Sequence, residues 1–574
     1  MGKKDKIYKI HPTIGIARVG NADADDYFPG PSIPEANESM DKKKYAKQFS
    51  KPNKKDGKIR PQSTSFTIWE YRELDQKPLR EIHLDEKDVE SISWFVHIAN
   101  LKSSFLNFRL YEGEHMLNDS GRRNKGKPED WMMDPSYRTI SGRTIGGKDK
   151  FRFKEGSSVD PTKEKWIKDQ DADHRYLGEL RTDGQGRLVF IGGKGNAGFV
   201  NKKFKKLKYF SETESWYDDI SDGYVKASIK FKRRKDIVDA QAAWVLVSPP
   251  DFAPEIRGAV TLYDLLVDKM IRSKRLSDHK ILANYPNLKA LADDFRSNAY
   301  TTLTTYKPKY HDDIYPILVR AANYRYTYKF KTSYHGSFDM TTPLEDYNNN
   351  DPASNPVRQY VFNKMRPPGT KGDKDKNMPM LLGDSNGELD DPYLSLTVTQ
   401  YEMLRRWSEG DFEMTTSPTG VKLPMALDIA NLENASGGAF YPGVDVGWQI
   451  RNIRVFGEPF RVDPASEDPY LAVGMKKFLE PGHFTRNMAV PWQADFEECR
   501  SNPKAKNYPF WPSQRPVDVP GEVKGKKTMV PWFRNAKGKE LFDMNIMAEK
   551  WFENGFLVRD PATGEFVETE RGKI

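Results

Sequence analysis

Residues 242–251 (AAWVLVSPPD) mark the main change of character in this chain of 574 residues. The first six form an apolar run of the length typical of a buried strand, and two prolines then end it. Before this point the chain favours strands, for example residues 64–71 (TSFTIWEY) and 188–191 (LVFI). The sequence therefore predicts a β-rich body that is interrupted near residue 250.

Helical spacing of apolar residues follows the two prolines. It is present in residues 263–270, 281–297, 314–324 and 399–407, and short segments and turns resume from residue 411. We expect an α+β fold, with a β-rich body of antiparallel sheets, a mainly helical inserted cap and many long loops. The predicted parts are residues 1–249, the N-terminal part of the body; 250–410, the cap; and 411–574, which complete the body and carry the cofactor site.

Composition sets the broad class of the protein. The length exceeds the roughly 250–300 residues that one hydrophobic core supports, so two or three domains are expected. The net charge of +9 is small for this length, and the lysine clusters alternate with acids, which favours solvated loops over a nucleic-acid site. The chain has neither a signal peptide nor an apolar run of about 18 residues. We therefore expect no membrane span and a cytoplasmic protein, or one exported by a route that needs no signal peptide.

Several short motifs are weaker than they look. Residues 192–198 (GGKGNAG) follow a strand, as the glycines of a dinucleotide-binding site do. Such a site also needs a helix that begins at the glycines, and residues 199–206 lack an amphipathic period. A tight turn is therefore favoured. The carboxylates Asp218, Asp219 and Asp222 are more typical of a capped turn than of a cation site. The nine histidines are scattered and there is one cysteine, so no metal site is expected.

Cys499 is the only cysteine in the chain, which excludes an internal disulfide. Asp495 lies four residues before it, and on a helix this spacing puts the carboxylate and the sulfur on one face. The neighbouring acids Asp495, Glu497 and Glu498 would raise the pKa of the thiol and so argue against a nucleophilic thiolate. Two roles stay open for this sulfur: a thiol packed in the core, or a sulfur that becomes part of a larger covalent group. Tryptophans lie nearby in sequence at Trp492, Trp511, Trp532 and Trp551.

Eight segments in a specific order resemble the lysine ε-oxidase and glycine oxidase family, the quinoproteins that carry cysteine tryptophylquinone. Each piece is short, but together they cover nearly the whole chain. They are residues 11–21 (HPTIGIARVGN), 216–223 (WYDDISDG), 243–254 (AWVLVSPPDFAP), 378–384 (MPMLLGD), 399–407 (TQY and LRRW), 440–445 (FYPGVD), 491–496 (PWQADF) with Cys499, and Trp551 with 555–556 (GF).

In this family a cysteine sulfur is bonded to a tryptophan ring that has gained two oxygens. The resemblance implies that Cys499 and Trp551 form this cofactor, with Trp532 as the second choice for the ring. Trp492 is a poor choice because, seven residues before the cysteine on one helix, it lies two turns or roughly 10 Å away along the axis. The resemblance also implies that Asp495 is the catalytic base, and a helix cap is its alternative role.

The implied function is oxidative deamination of an amino acid at a primary amine, either a lysine ε-amine or a glycine-like α-amine. The amine forms a Schiff base on the quinone, two electrons pass into the ring, and O2 reoxidises it, with release of NH3 and H2O2. Implied partners are the amine, O2, a flavoprotein that matures the cofactor, and further copies of the chain in a homodimer or homotetramer. A non-catalytic β-rich binding protein with no matured cofactor is the alternative. Asp445 stands where family members often have glutamate, which leaves the substrate open.

Overall fold

The computed structural model describes residues 6–34, 53–105, 123–144, 148–158, 160–208, 214–329, 344–368, 395–437, 445–467, 478–501 and 513–574. Three features singled out in the sequence lie outside these residues: the matching segments 378–384 and 440–444, and Trp511. All three residues of the predicted site lie within them.

The described residues form eight α-helices and 22 strands. The helices are α1 (Leu262–Ile271), α2 (Leu288–Ser297), α3 (Tyr315–Asn323), α4 (Asn355–Phe362), α5 (Val398–Ser408), α6 (Met425–Glu433), α7 (Trp492–Ser501) and α8 (Met544–Lys550). The strands are β1 (Lys6–His11), β2 (Ile14–Arg18), β3 (Phe28–Pro29), β4 (Lys54–Lys55), β5 (Lys58–Ile59), β6 (Gln62–Arg72), β7 (Lys77–Ile82), β8 (Val89–Ala99), β9 (Arg138–Ser141), β10 (Arg152–Lys154), β11 (Tyr176–Thr182), β12 (Leu188–Ile191), β13 (Ala197–Phe199), β14 (Trp216–Asp218), β15 (Asp222–Phe231), β16 (Ile237–Ser248), β17 (Phe456–Glu458), β18 (Arg461–Val462), β19 (Asp518–Val523), β20 (Lys526–Pro531), β21 (Phe556–Arg559) and β22 (Phe566–Thr569).

One 12-stranded sheet forms the body of the protein. Its path is β10-β11-β12-β6-β1-β16-β15-β8-β9, with β2 beside β16 and β6, and with β3 and β7 beside β6. The predicted α+β class is confirmed, but the sheet is mixed rather than wholly antiparallel, because β1 and β2 both run parallel to β16. A parallel pair needs a long crossover, and more than 200 residues separate these strands in sequence.

Strand β16 divides two hydrophobic clusters. Trp244 and Leu246 point into a cluster that also holds the apolar faces of the helices α1 to α6. Val245 and Val247 point the other way, into a cluster that includes residues of α7 and of the C-terminal hairpin β21–β22. Side chains alternate between the faces of a strand, so a strand covered on both faces is apolar throughout. This explains the run AAWVLV, and the functional site lies on the second face.

Five of the eight helices, α1 to α5, lie within residues 262–408, and α6 joins the same cluster. The domain boundaries at residues 249 and 410 stay predictions. No helix of the described residues is both long and apolar enough to span a membrane.

Candidate active site

Helix α7 presents Asp495 and Cys499 on one face, as their spacing predicts. The Cys499 thiol donates a hydrogen bond of 2.8 Å to Oδ1 of Asp495. Both side chains are buried, with 3% and 2% of their surface exposed. At the start of the helix, the backbone N–H of Trp492 donates to Oδ2 of Asp218 at 2.9 Å. A carboxylate at a helix N-terminus satisfies a backbone donor that has no partner inside the helix, so Asp218 fixes where α7 begins.

Burial sets the protonation of this pair. It raises the pKa of Asp495 to about 7, and the nearby Glu498 adds to the rise, while the Cys499 hydrogen bond, Arg515 and Lys102 oppose it. Burial, followed by the charge of Asp495, raises the pKa of the Cys499 thiol well above its usual value. The sulfur is therefore a protonated thiol and not a nucleophilic thiolate. A carboxyl whose pKa is raised toward neutrality is basic enough to act as a proton acceptor.

Trp551 directly follows helix α8, whose residues pack against α7. Its ring meets the ring of Trp492 edge to face, with centroids 5.3 Å apart and planes at 70°. Trp551 is 3% exposed and lies in the same buried cluster as Cys499. The structure thus brings the predicted sulfur, carboxylate and ring into one buried region.

A glycine-rich connection covers one edge of the Trp551 ring. Residues 192–196, called the glycine turn below, connect β12 to β13 as irregular chain; no helix begins there, and no hydrogen-bonded tight turn forms, so the predicted tight turn is not observed. Gly195 has a positive φ of 73°, and a Cβ on it would lie 2.3 Å from Cζ2 and 2.9 Å from Cη2 of Trp551. Its carbonyl accepts a 2.9 Å hydrogen bond from the amide of Gln493 on α7. Only glycine lets the backbone lie this close to the six-membered ring of Trp551.

Trp532, the second choice for the ring, lies in the same cluster but has other contacts. Its indole N–H donates to the carbonyl of Gly555 at 2.9 Å. Its ring packs on Phe252, with centroids 4.9 Å apart. These contacts hold the C-terminal segment against the body.

Asp218 and Asp219 have a role that sequence reasoning missed. Asp218 caps its own turn as predicted, since its Oδ1 accepts a hydrogen bond from the backbone N–H of Ile220 at 3.3 Å. Both residues also bind backbone N–H groups of distant segments: Asp218 binds the start of α7, and Asp219 binds the glycine turn that carries Gly195. Asp218 also pairs with the buried Lys102 at 2.6 Å. The available signal was the position of both residues inside the matching segment 216–223.

Asp445, the residue that departs from the family pattern, is buried and paired within the protein. One carboxylate oxygen lies 2.7 Å from Arg18 Nη1 and 3.0 Å from the amide of Gln514. The other accepts a 2.7 Å hydrogen bond from the backbone N–H of Ser436. The shorter side chain thus joins three segments of the fold.

Two family models match the chain. One, described as L-lysine epsilon oxidase N-terminal, matches residues 11–247, and the other, L-lysine epsilon oxidase C-terminal domain, matches residues 379–516. The two ranges together make up more than half of the chain. This chain belongs to the L-lysine ε-oxidase family. Membership makes it an amino-acid oxidase, an oxidoreductase that acts on an amine.

Individual relatives agree with this assignment. The L-lysine 6-oxidase of Marinomonas mediterranea is 27% identical in an alignment 548 positions long, and the match covers 85% of this chain and 70% of the relative. A solved structure of the ε-lysine oxidase from the same organism superposes with a TM-score of 0.74 at 22% identity, covering 98% of this chain and 95% of that one. The structure of its Schiff base intermediate with L-Lys gives 0.72 at 23% identity, with coverages of 98% and 95%. The structural likeness establishes the shared fold.

Proposed function

We propose that this chain is a quinoprotein oxidase that deaminates a primary amine of an amino acid, with cysteine tryptophylquinone formed from Cys499 and Trp551. The overall reaction converts R–CH2–NH2, O2 and H2O into R–CHO, NH3 and H2O2. The name of the relative favours the lysine side-chain amine as substrate, ahead of a glycine-like α-amine. The observation that carries the proposal is the buried Cys499–Asp495 hydrogen bond in the same cluster as Trp551.

The site residues have two tasks: to hold the quinone ring and to accept a proton from the substrate. Cys499 and Trp551 would hold the quinone, which supplies an electrophilic carbonyl for a primary amine and accepts two electrons. Asp495 takes the proton from the amine-bearing carbon. Burial raises its pKa to about 7 while Cys499 is still a thiol, and this keeps the carboxylate basic enough to accept that proton. The buried surroundings exclude water and so strengthen its electrostatic effect.

A peptide digest of active protein tests the cofactor. We expect one species that joins the peptides of Cys499 and Trp551 and carries two added oxygens. Trp551→Phe should abolish it, whereas Trp532→Phe should keep it and lower stability, because a buried indole donor is lost. Recovery of an alkylatable Cys499 together with an unmodified Trp551 from active wild-type protein would contradict the proposal. The protein should be produced together with its flavoprotein maturation partner.

A peroxide-release assay tests the substrate. L-lysine, glycine and simple primary amines are offered to protein in which the cross-linked peptide has been found. Peroxide and ammonia in equal amounts with L-lysine, and an aldehyde product, are the expected result. A cross-linked protein that oxidises none of these amines would contradict the proposed substrate class.

A further inference from the structure

The glycine turn at residues 193–196 lies between a buried carboxylate and the Trp551 ring. On one side, a Cβ on Gly193 would lie 2.6 Å from Oδ2 of Asp219. On the other side, a Cβ on Gly195 would lie 2.3 Å from Cζ2 of Trp551. Two glycines therefore let the backbone approach both partners closely. Because the same short segment contacts both, the position of the Asp219 carboxylate limits the position of the Trp551 ring.

Asp219 holds this turn through the two residues that flank Gly195. Its Oδ2 accepts hydrogen bonds from the backbone N–H groups of Lys194 at 2.6 Å and Asn196 at 3.1 Å. The side chain is 1% exposed, and its Oδ1 has no hydrogen-bond partner among the described residues. Two hydrogen bonds to one buried oxygen hold the backbone on both sides of Gly195 and so hold Gly195 against the ring.

The neighbouring Asp218 fixes a second segment that contacts the ring. It binds the first backbone N–H of α7, and the side chain of that same residue, Trp492, packs on Trp551. Two consecutive carboxylates thus hold two of the segments that contact Trp551. A buried ring held by several contacts keeps one rotamer, whereas an indole without such contacts changes rotamer.

We propose that Asp219 is a positioning residue for Trp551, acting through the turn at residues 193–196 to hold the Cζ2–Cη2 edge of the ring in the orientation that lets Cys499 be joined to it. The inference rests on the proposed function, because it takes the ring as the precursor of the cofactor. It adds a residue that touches neither the sulfur nor the amine. Geometry of this kind matters because misplacing a reacting group by about 1 Å can cost up to 100-fold in rate.

The test measures the fraction of cross-linked peptide in folded, purified protein, and so does not depend on turnover. Gly195→Ala adds a Cβ against the ring at a positive φ, and we expect the cross-linked fraction to fall about tenfold. Gly184→Ala is the matched control, since a Cβ there meets nothing within 4 Å. Asp219→Ala should lower the fraction about fivefold, while Asp219→Asn, which keeps one oxygen acceptor, should stay within about twofold of wild type.

The outcomes separate this inference from the proposed function. A wild-type chain without the cross-linked peptide would overturn both. A normal wild-type cross-link with equal yields in Gly195→Ala and Gly184→Ala would overturn only the positioning role. Equal losses in Asp219→Asn and Asp219→Ala would also overturn it, since a held backbone needs an acceptor and not a charge. If Asp219→Ala does not fold, the two glycine variants decide.

Discussion

Replacing Asp495 by asparagine should weaken catalysis and stabilise the fold in the same protein. The carboxyl is 3% exposed, and burial raises its pKa from 3.8 to about 7. This rise corresponds to roughly 4 kcal/mol of unfavourable free energy for the ionised form in the folded state. Asparagine has a similar shape, carries no charge, and still offers an oxygen to the Cys499 thiol.

The stabilisation depends on pH in a defined direction. Below pH about 4 the carboxyl is protonated in both the folded and the unfolded chain, so wild type and variant should differ little. As the pH rises toward 7, the unfolded chain releases the proton while the folded chain retains it, and wild-type stability falls. Above pH 7 the full difference of roughly 4 kcal/mol should be present. Other buried acids such as Asp222 titrate in both proteins and cancel in the comparison.

Urea unfolding of both proteins at pH 5 and pH 8 measures this effect, and the steady-state rate of peroxide release measures catalysis. We expect the advantage of Asp495→Asn to grow between the two pH values and kcat to fall by about 100-fold to 10,000-fold. Glu498→Gln, on the same helix, is the control and should retain its maximal rate. An advantage that does not grow with pH would refute the burial argument, and a near-normal kcat would refute the base assignment.

Three further variants test the charges around the site. Glu498 raises the pKa of Asp495, so Glu498→Gln should move the acidic limb of the pH–rate profile to lower pH. Arg515 lowers the same pKa, so Arg515→Gln should move that limb to higher pH. Shifts of both variants in the same direction would contradict this reasoning. Lys102→Met leaves the buried carboxylate of Asp218 without its cation and should reduce the free energy of unfolding by about 3–5 kcal/mol in urea titrations. A loss below about 1 kcal/mol would contradict the role of that pair.

The local features of this protein were predictable from its sequence. The run at residues 188–191 is strand β12, and the i, i+4 spacing of Asp495 and Cys499 gives the hydrogen bond observed on α7. Both depend on neighbouring residues and a fixed periodicity. The choice of Cys499 and Trp551 came from the family resemblance, since spacing alone does not select one tryptophan.

Contacts between distant segments were not predictable in the same way. The parallel pairing of β1 with β16 depends on a crossover, and no local pattern specifies it. A tight turn is predicted at residues 192–198, but these residues form an irregular connection and strand β13, and the contact of Gly195 with Trp551 joins segments more than 350 residues apart. Distance along the helix makes Trp492 a poor cross-link partner, and in the structure it packs against the ring.

The hydrogen bond from Cys499 to Asp495 lasts only while the sulfur keeps its proton. A thioether has no S–H group, so the proposed bond to Trp551 would remove the donor that now occupies Oδ1 of Asp495 and lowers its pKa. The carboxylate would then have a lone pair available for substrate and a greater affinity for protons. The same bond that completes the cofactor would thus release the base, and the immature chain would hold that base inactive until the electrophile exists.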